Sequence, residues 1–216
     1  METNIILIFF FAILVILLIH LIIRWLRVYT RSRPKINVPQ KPEIKLKKIP
    51  TPKFKLMIGG TYLVLERTEK EMGQGFKTFK DIQRNDASGL LITRTFPEKV
   101  LKKYNLGNLP VIWLSRSKNR YAISPTNLGA LIEEIKEFTK KNDNSIIMFD
   151  GLEYLTVHNE FDRVLKFLHS LEDEVAVAKS RIIISLNPKT LSDKKVALLS
   201  KEMKILNIEQ REKNVK

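Results

Sequence analysis

From residue 56 onward, apolar residues fall into short continuous runs separated by longer stretches with helical spacing. The runs are Tyr62–Leu65 (YLVL), Gly89–Thr93 (GLLIT), Val111–Ser115 (VIWLS), Ile146–Phe149 (IIMF) and Arg181–Leu186 (RIIISL). A strand with one wet face alternates apolar and polar positions. A run without alternation predicts a strand covered on both faces, as in a parallel sheet sandwiched by helices. Between the runs, a helix is predicted over 69–84, and PEKVLKKY (97–104) starts with Pro in its first turn. SPTNLGALIEEIKEF (124–138) offers Ser124 as N-cap and Pro125 at the first helical position, ahead of an apolar stripe of Leu128, Leu131, Ile132, Ile135 and Phe138. The next stripe is Phe161, Val164, Leu165, Leu168 and Leu171, and the last is Val196, Leu199, Met203 and Leu206 after Ser192. This alternation predicts an α/β fold over 56–208: a doubly wound, mainly parallel five-stranded sheet with right-handed crossovers, followed by a charged tail, 209–216.

The pattern before residue 56 is of another kind. Ile5–Ile23 reads IILIFFFAILVILLIHLII, without charge, Pro or Gly. As a helix it would extend roughly 28 Å, close to the hydrocarbon thickness of a bilayer. No basic residue precedes the stretch and no small-x-small site follows it, so residues 1–23 read as a retained transmembrane anchor rather than a cleaved signal. His20, near one end, reads as an interfacial side chain. Arg24, Arg27, Arg31, Arg33 and Lys35 follow directly, which predicts a single-pass protein in the cell membrane with its N-terminus outside and its C-terminal domain in the cytoplasm.

Charge sharpens this division. The chain carries +15 over 216 residues, yet residues 24–55 hold eleven Lys or Arg against the single acid Glu43. The same segment holds Pro34, Pro39, Pro42, Pro50 and Pro52. Such a stretch neither propagates a helix nor builds a core, and it reads as a semi-extended tether. Its charge fits adhesion to anionic lipid headgroups, with the same five residues at the membrane surface, or the setting of topology. Nucleic acid, the other polyanion, is disfavoured because Phe54 is the only aromatic residue between 31 and 55. The absence of cysteine excludes disulfides, thiolate zinc sites and cysteine nucleophiles.

In a doubly wound sheet, ligands sit at the carboxyl ends of the strands. The residues there are Glu66; Thr93, Arg94 and Thr95; Ser115 and Arg116; Asp150 and Gly151; and Asn187. A triphosphatase would need a G-x-x-x-x-G-K-[ST] loop after its first strand. In ERTEKEMGQGFKT (66–78), Lys77–Thr78 could stand for the last pair, but the glycine places are then Glu71 and Phe76, and Gly73 and Gly75 are out of register. No hydrolysis and no cofactor are expected from such a loop. His158, Asp162 and His169 share a helical face, but the two histidines would stand about 16 Å apart along the axis, too far for one metal ion. No G-x-S-x-G elbow is present. Thr93–Arg94–Thr95 with Arg116 could hold an anion, or could cap helices and pair with acids such as Glu98.

The strings GLLITRTFPEKVLKKYNLGNLPVIWLS, ISPTNLGALIEEIKEF, SIIMFDGLEYLTVHNEFDRVLKFLHSL and RIIISLNPKTL resemble the archaeal family known as domain of unknown function 835, over about residues 58–206. That family in turn is similar to RecA-like ATPases of the circadian-clock type without the phosphate loop. The resemblance explains why SIIMFDGLEYL looks like an ATPase strand ending on a Mg²⁺-holding aspartate. It implies a degenerate RecA-like domain and supplies no established activity to carry over, and it makes Asp150, Gly151, Glu153, Tyr154, His158 and Asn159 a shared string, either a site or a structural turn. With Thr93, Arg94 and Arg116 these residues form the expected ligand or partner site. The expected function is recruitment, sensing or scaffolding at the membrane through a cytosolic protein partner. The alternatives are a nucleotide-binding regulator without hydrolysis and a membrane tether for nucleic acid.

Overall fold

A computed structural model describes residues 21–22, 56–84, 87–119 and 121–207. The span 5–23 apart from Leu21 and Ile22, the tether with Arg24, Arg27, Arg31, Arg33 and Lys35, and the tail 209–216 lie outside the described residues. Contacts divide the chain into Met1–Lys47 and Lys48–Lys216. In the first unit Leu21 and Ile22 are helical and exposed. Among the described residues no helix is long and apolar enough to cross a membrane.

The second unit is an α/β domain around one parallel sheet. Its strands are β1 (Gly60–Leu65), β2 (Ser88–Thr93), β3 (Val111–Leu114), β4 (Ala122–Ile123), β5 (Ser145–Asp150), β6 (Arg181–Leu186) and β7 (Lys204–Ile205). They lie in the order β4-β3-β2-β5-β6-β1-β7, and every pairing is parallel. The sheet therefore has seven strands where the apolar runs predict five. The five predicted strands are all present. The two additions are edge strands of two residues each, too short to carry any period.

The helices are α1 (Gln74–Gln83), α2 (Pro97–Tyr104), α3 (Leu128–Lys141), α4 (Leu152–His158), α5 (Phe161–Val177) and α6 (Asp193–Glu202). They divide between the two faces of the sheet. On one face, Phe76, Phe79 and Ile82 of α1 and Val100 of α2 pack with Tyr62, Val64, Leu91, Ile146, Met148 and Ile183. On the other, Leu131 and Ile135 of α3, Leu152 and Leu155 of α4, Val164 and Leu171 of α5 and Leu199 of α6 pack with Leu63, Ile92, Ile147, Phe149 and Ile184. Successive residues of β5 and β6 thus belong to different cores, which is why their runs do not alternate. Each fully buried Leu, Ile or Phe contributes about 1.5–3 kcal/mol relative to exposure.

Two helix starts differ from expectation. α1 begins at Gln74, not 69, because residues 68–73 form successive turns ending at Gly73, whose φ of 80° no helical residue adopts. α3 begins at Leu128, not Pro125. Asn127 is its cap, accepting from the Ala130 N–H at 3.1 Å, while the Ser124 hydroxyl pairs with that of Thr126 at 2.9 Å. An Asn three residues before a free amide caps it as well as a Ser would, and it lies closer to the apolar stripe.

Candidate functional site at the strand ends

β2 and β5 are neighbours whose following connections diverge, β2 running into α2 on one face and β5 into α4 on the other. β1 and β6 diverge in the same way. The carboxyl ends of these four strands therefore border an opening between the helical layers, as doubly wound sheets provide. A cavity of about 350 Å³ occupies it, lined by Glu66, Met72, Arg94, Asp150, Glu153, Tyr154, Val157, Ser185, Asn187 and Thr190.

Glu66, the residue after β1, is buried, and its carboxylate is not idle. Oε2 accepts from the Gly73 N–H at 3.0 Å and Oε1 from the Gly75 N–H at 3.2 Å. These are amides of the loop leading into α1, where oriented N–H groups and the helix dipole favour an anion. The anion held there is the chain's own side chain. Gly75 packs closely, since a Cβ would lie 2.9 Å from Met148 Cε, the end of a flexible side chain that would have to shift.

The other loop residues fall differently from a phosphate cradle. Glu71 turns back on its own turn and accepts from the Thr68 N–H at 2.8 Å and from that of Arg67. The Thr68 amide leads in holding this carboxyl below the usual glutamate range. Phe76 is buried and stacks on Tyr104 with ring centroids 4.0 Å apart. Lys77 faces solvent and Thr78 is buried in the helix–sheet interface. Neither Glu71 nor Phe76 thus fills the space over the amides. Glu66 does, and no spacing within the loop announces it, because the bonds span seven and nine residues.

Asp150 closes β5. Its Oδ2 accepts from the buried Thr93 hydroxyl at 2.9 Å, and Thr93 Oγ1 in turn accepts from the Thr95 N–H at 3.0 Å. Burial pushes the Asp150 carboxyl above the usual aspartate range. The Thr93 bond opposes this, the charges of Glu153 and Glu66 add to it, and Arg94 opposes it again. Arg94 donates its backbone N–H to the Asp150 carbonyl at 3.1 Å. Gly151 follows at φ 150°, and a Cβ there would stand 3.0 Å from Leu114 Cδ1. The Glu153 carboxylate accepts from the Asn187 N–H at 2.8 Å, joining α4 to the end of β6.

The remaining predicted residues lie elsewhere. Arg116 Nη2 stands 3.3 Å from His158 Nδ1 on the exposed side of α4, and neither lines the cavity. His158 packs edge-on against Tyr154, with centroids 4.5 Å apart. Asn159 donates to the carbonyls of Pro125 and Leu155, both at 2.9 Å, and ties the end of α4 to the loop before α3. His169 pairs with Glu202 at 3.4 Å. Among the described residues no three His, Asp or Glu side chains are grouped so as to hold a metal ion.

The cavity thus gathers Glu66, Asp150 and Glu153 against one guanidinium, that of Arg94, beneath exposed Met72 and Val157. Chemically it suits a cationic group flanked by apolar surface better than a polyphosphate. No curated protein matches the chain. Among solved structures, the flagellar accessory protein FlaH from Methanocaldococcus jannaschii superposes with a TM-score of 0.47 at 15% identity, over 68% of this chain and 70% of that one. Residues 68–203, more than half of the chain, match the family described as Protein of unknown function (DUF835), and the chain belongs to that family.

Proposed function

We propose that this chain is a single-pass membrane protein whose α/β domain is a degenerate RecA-like module that recruits a cytosolic protein partner and does not hydrolyse nucleotide. The observation that carries this reading is the Glu66 carboxylate on the Gly73 and Gly75 amides. In a RecA-like site the loop after the first strand would hold phosphate opposite the strand-end aspartate. Here β1's loop and Asp150 meet at one cavity, but the amides already have an anion and two further carboxylates face the opening. A triphosphate would have to displace Glu66 and sit beside Asp150 and Glu153. A Lys or Arg side chain from a partner would meet complementary charge, with Met72 and Val157 offering apolar contact around it. The membrane part of the reading is supported by the sequence of residues 5–35.

Two measurements test the proposal. Millimolar ATP or ADP with Mg²⁺ leaves the melting temperature of the chain unchanged; a rise that grows with nucleotide concentration favours the nucleotide-binding regulator instead. Crosslinking in native membranes captures a partner through a photoreactive residue at the exposed cavity residue Met72, and Val157→Lys in the same chain, which places a cation at the rim, abolishes the capture. Equal capture by Val157→Lys overturns the assignment of the cavity to a basic partner.

A further inference from the structure

Because the sheet is parallel throughout, the amino ends of its strands share the end opposite the cavity. The chain reaches β1 there, through Leu56, Met57 and Ile58. Met57 and Ile58 are 63% and 65% exposed, and Val177, at the end of α5, is 82% exposed. They form one patch. The Gly59 N–H donates to the Ser180 carbonyl at 2.7 Å, and a Cβ at Gly59 would lie 3.4 Å from Ala176 Cα, which brings residues 57–58 beside 176–177. Nothing in the core requires an apolar residue at any of the three positions.

The rim of this patch is basic. Lys204 Nζ lies 3.6 Å from Met57 Sδ. Lys179, at φ 52° in the turn between α5 and β6, is exposed, as are Lys140 and Lys141 at the end of α3 and Arg84 at the end of α1. Arg181 is half-buried and donates to the Asn144 side chain. Asp143 and, one turn before Val177, Asp173 and Glu174 share the rim; Glu174 accepts from the Thr139 hydroxyl at 3.3 Å and Glu137 pairs with Lys141 at 3.0 Å, while Lys179 and Lys204 are the basic groups nearest the apolar side chains. The opposite end carries Glu66, Asp150 and Glu153. At that end the exposed apolar Met72 and Val157 adjoin these carboxylates, whereas Met57, Ile58 and Val177 adjoin Lys179 and Lys204. Residues 24–55, with their eleven Lys or Arg, directly precede Leu56 in the sequence.

We infer that the amino-terminal end of the sheet is a docking face for an anionic lipid surface, with Met57, Ile58 and Val177 entering the headgroup layer and Lys179 and Lys204 meeting lipid phosphates. This rests on the membrane-anchored reading above and deepens it. Exposed apolar side chains ringed by lysines match the two attractions an acidic bilayer surface offers, apolar insertion and counter-charge. Docked in this way, the domain turns its cavity away from the membrane and toward partners.

The absence of cysteine makes the test direct. Single cysteines replacing Ile58, Val177 or, at the opposite end, Val157 are labelled with an environment-sensitive fluorophore in the full chain. Each protein is reconstituted into vesicles of phosphatidylcholine with or without phosphatidylglycerol, both containing a lipid-borne quencher. Flotation reports whether the chain is in the membrane; quenching reports which end lies on it. The expected result is strong quenching at 58 and 177 in anionic vesicles, weak quenching in neutral ones, and little at 157 in either. Lys179→Gln with Lys204→Gln lowers the docked-to-undocked ratio about 30-fold at low salt. Chain that floats with 58 and 177 quenched no more than 157 overturns the docking face and leaves the anchor standing. Quenching equal in neutral and anionic vesicles also overturns it, because the basic rim then contributes nothing. Chain that does not float overturns the membrane reading and this inference with it.

Discussion

Replacing Glu66 with Ala separates an internal plug from an ordinary buried acid. The substitution removes both acceptors of the Gly73 and Gly75 N–H groups. A buried amide left without a partner costs about 1–3 kcal/mol, so two set an upper bound of about 6 kcal/mol. Two effects reduce this. Water can reach the amides from the adjoining cavity, and removing the Glu66 charge relieves its repulsion of Asp150. We expect a net loss of about 2–3 kcal/mol in urea unfolding at neutral pH, with faster hydrogen exchange at Gly73 and Gly75. Glu66→Gln keeps one acceptor oxygen and should fall between Ala and wild type. The decisive measurement adds inorganic phosphate. Vacated amides at a helix start are an anion site, so phosphate should restore the Ala variant, by about 2.7 kcal/mol at a hundredfold excess over its Kd, and leave the wild type unmoved. A loss below about 0.5 kcal/mol, or phosphate stabilising both proteins alike, would refute the reasoning.

Further outcomes follow from the same geometry. Asp150 has a folded-state pKa raised above the ordinary 3.8, so the folded chain holds its proton more tightly than the unfolded one; stability is greatest below about 3.8 and falls as pH rises through the raised value. Asp150→Asn, which still accepts from Thr93, should flatten that part of the pH–stability profile and raise neutral-pH stability by about 1 kcal/mol; an unchanged profile would contradict the assignment. Gly151→Ala forces a Cβ into φ 150° against Leu114 and should lower stability by about 1–3 kcal/mol in thermal unfolding. Asn127→Ala removes the cap of α3 and should cost about 1 kcal/mol, whereas Ser124→Ala, at the predicted cap, should cost a few tenths; equal losses would return the cap to Ser124. Phe79→Ala empties a fully buried site beneath β2 and should cost about 3–5 kcal/mol in denaturant unfolding.

Much of the fold was legible because burial on both faces leaves a plain trace. β6 was read with its observed limits and β2, β3 and β5 within a residue at either end, since each is an apolar run interrupted by nothing. β4 and β7 were not legible, since a two-residue strand is defined by the neighbour that accepts it. The short helix α4 was not legible either: the predicted stripe starts at Phe161, and the seven residues of α4 are too few to show a helical period. Of the site, Asp150, Thr93 and Arg94 were legible as strand-end residues, and the structure brings them together. Glu66 was noticed as a strand-end residue but not as the occupant of the loop. Its role depends on Gly73 folding back over it, a closure set by three-dimensional packing. Arg116, His158 and Asn159 do not line this cavity: Arg116 stands against His158, and Asn159 ties the end of α4 to the loop before α3.

The position of β1 bears on how the domain is made. It is the first strand to leave the ribosome, yet it lies between β6 and β7, the last two. Strands β2, β3 and β5 can assemble as the nascent chain lengthens, whereas β1 stays without β6 until synthesis passes residue 186 and without β7 until it passes residue 205. A chain terminated upstream of Arg181 therefore carries an apolar strand with both edges bare, a template for aggregation. The vectorial order of synthesis and the spatial order of the sheet are opposed here, and completion of this sheet is a late event governed by residues 181–205.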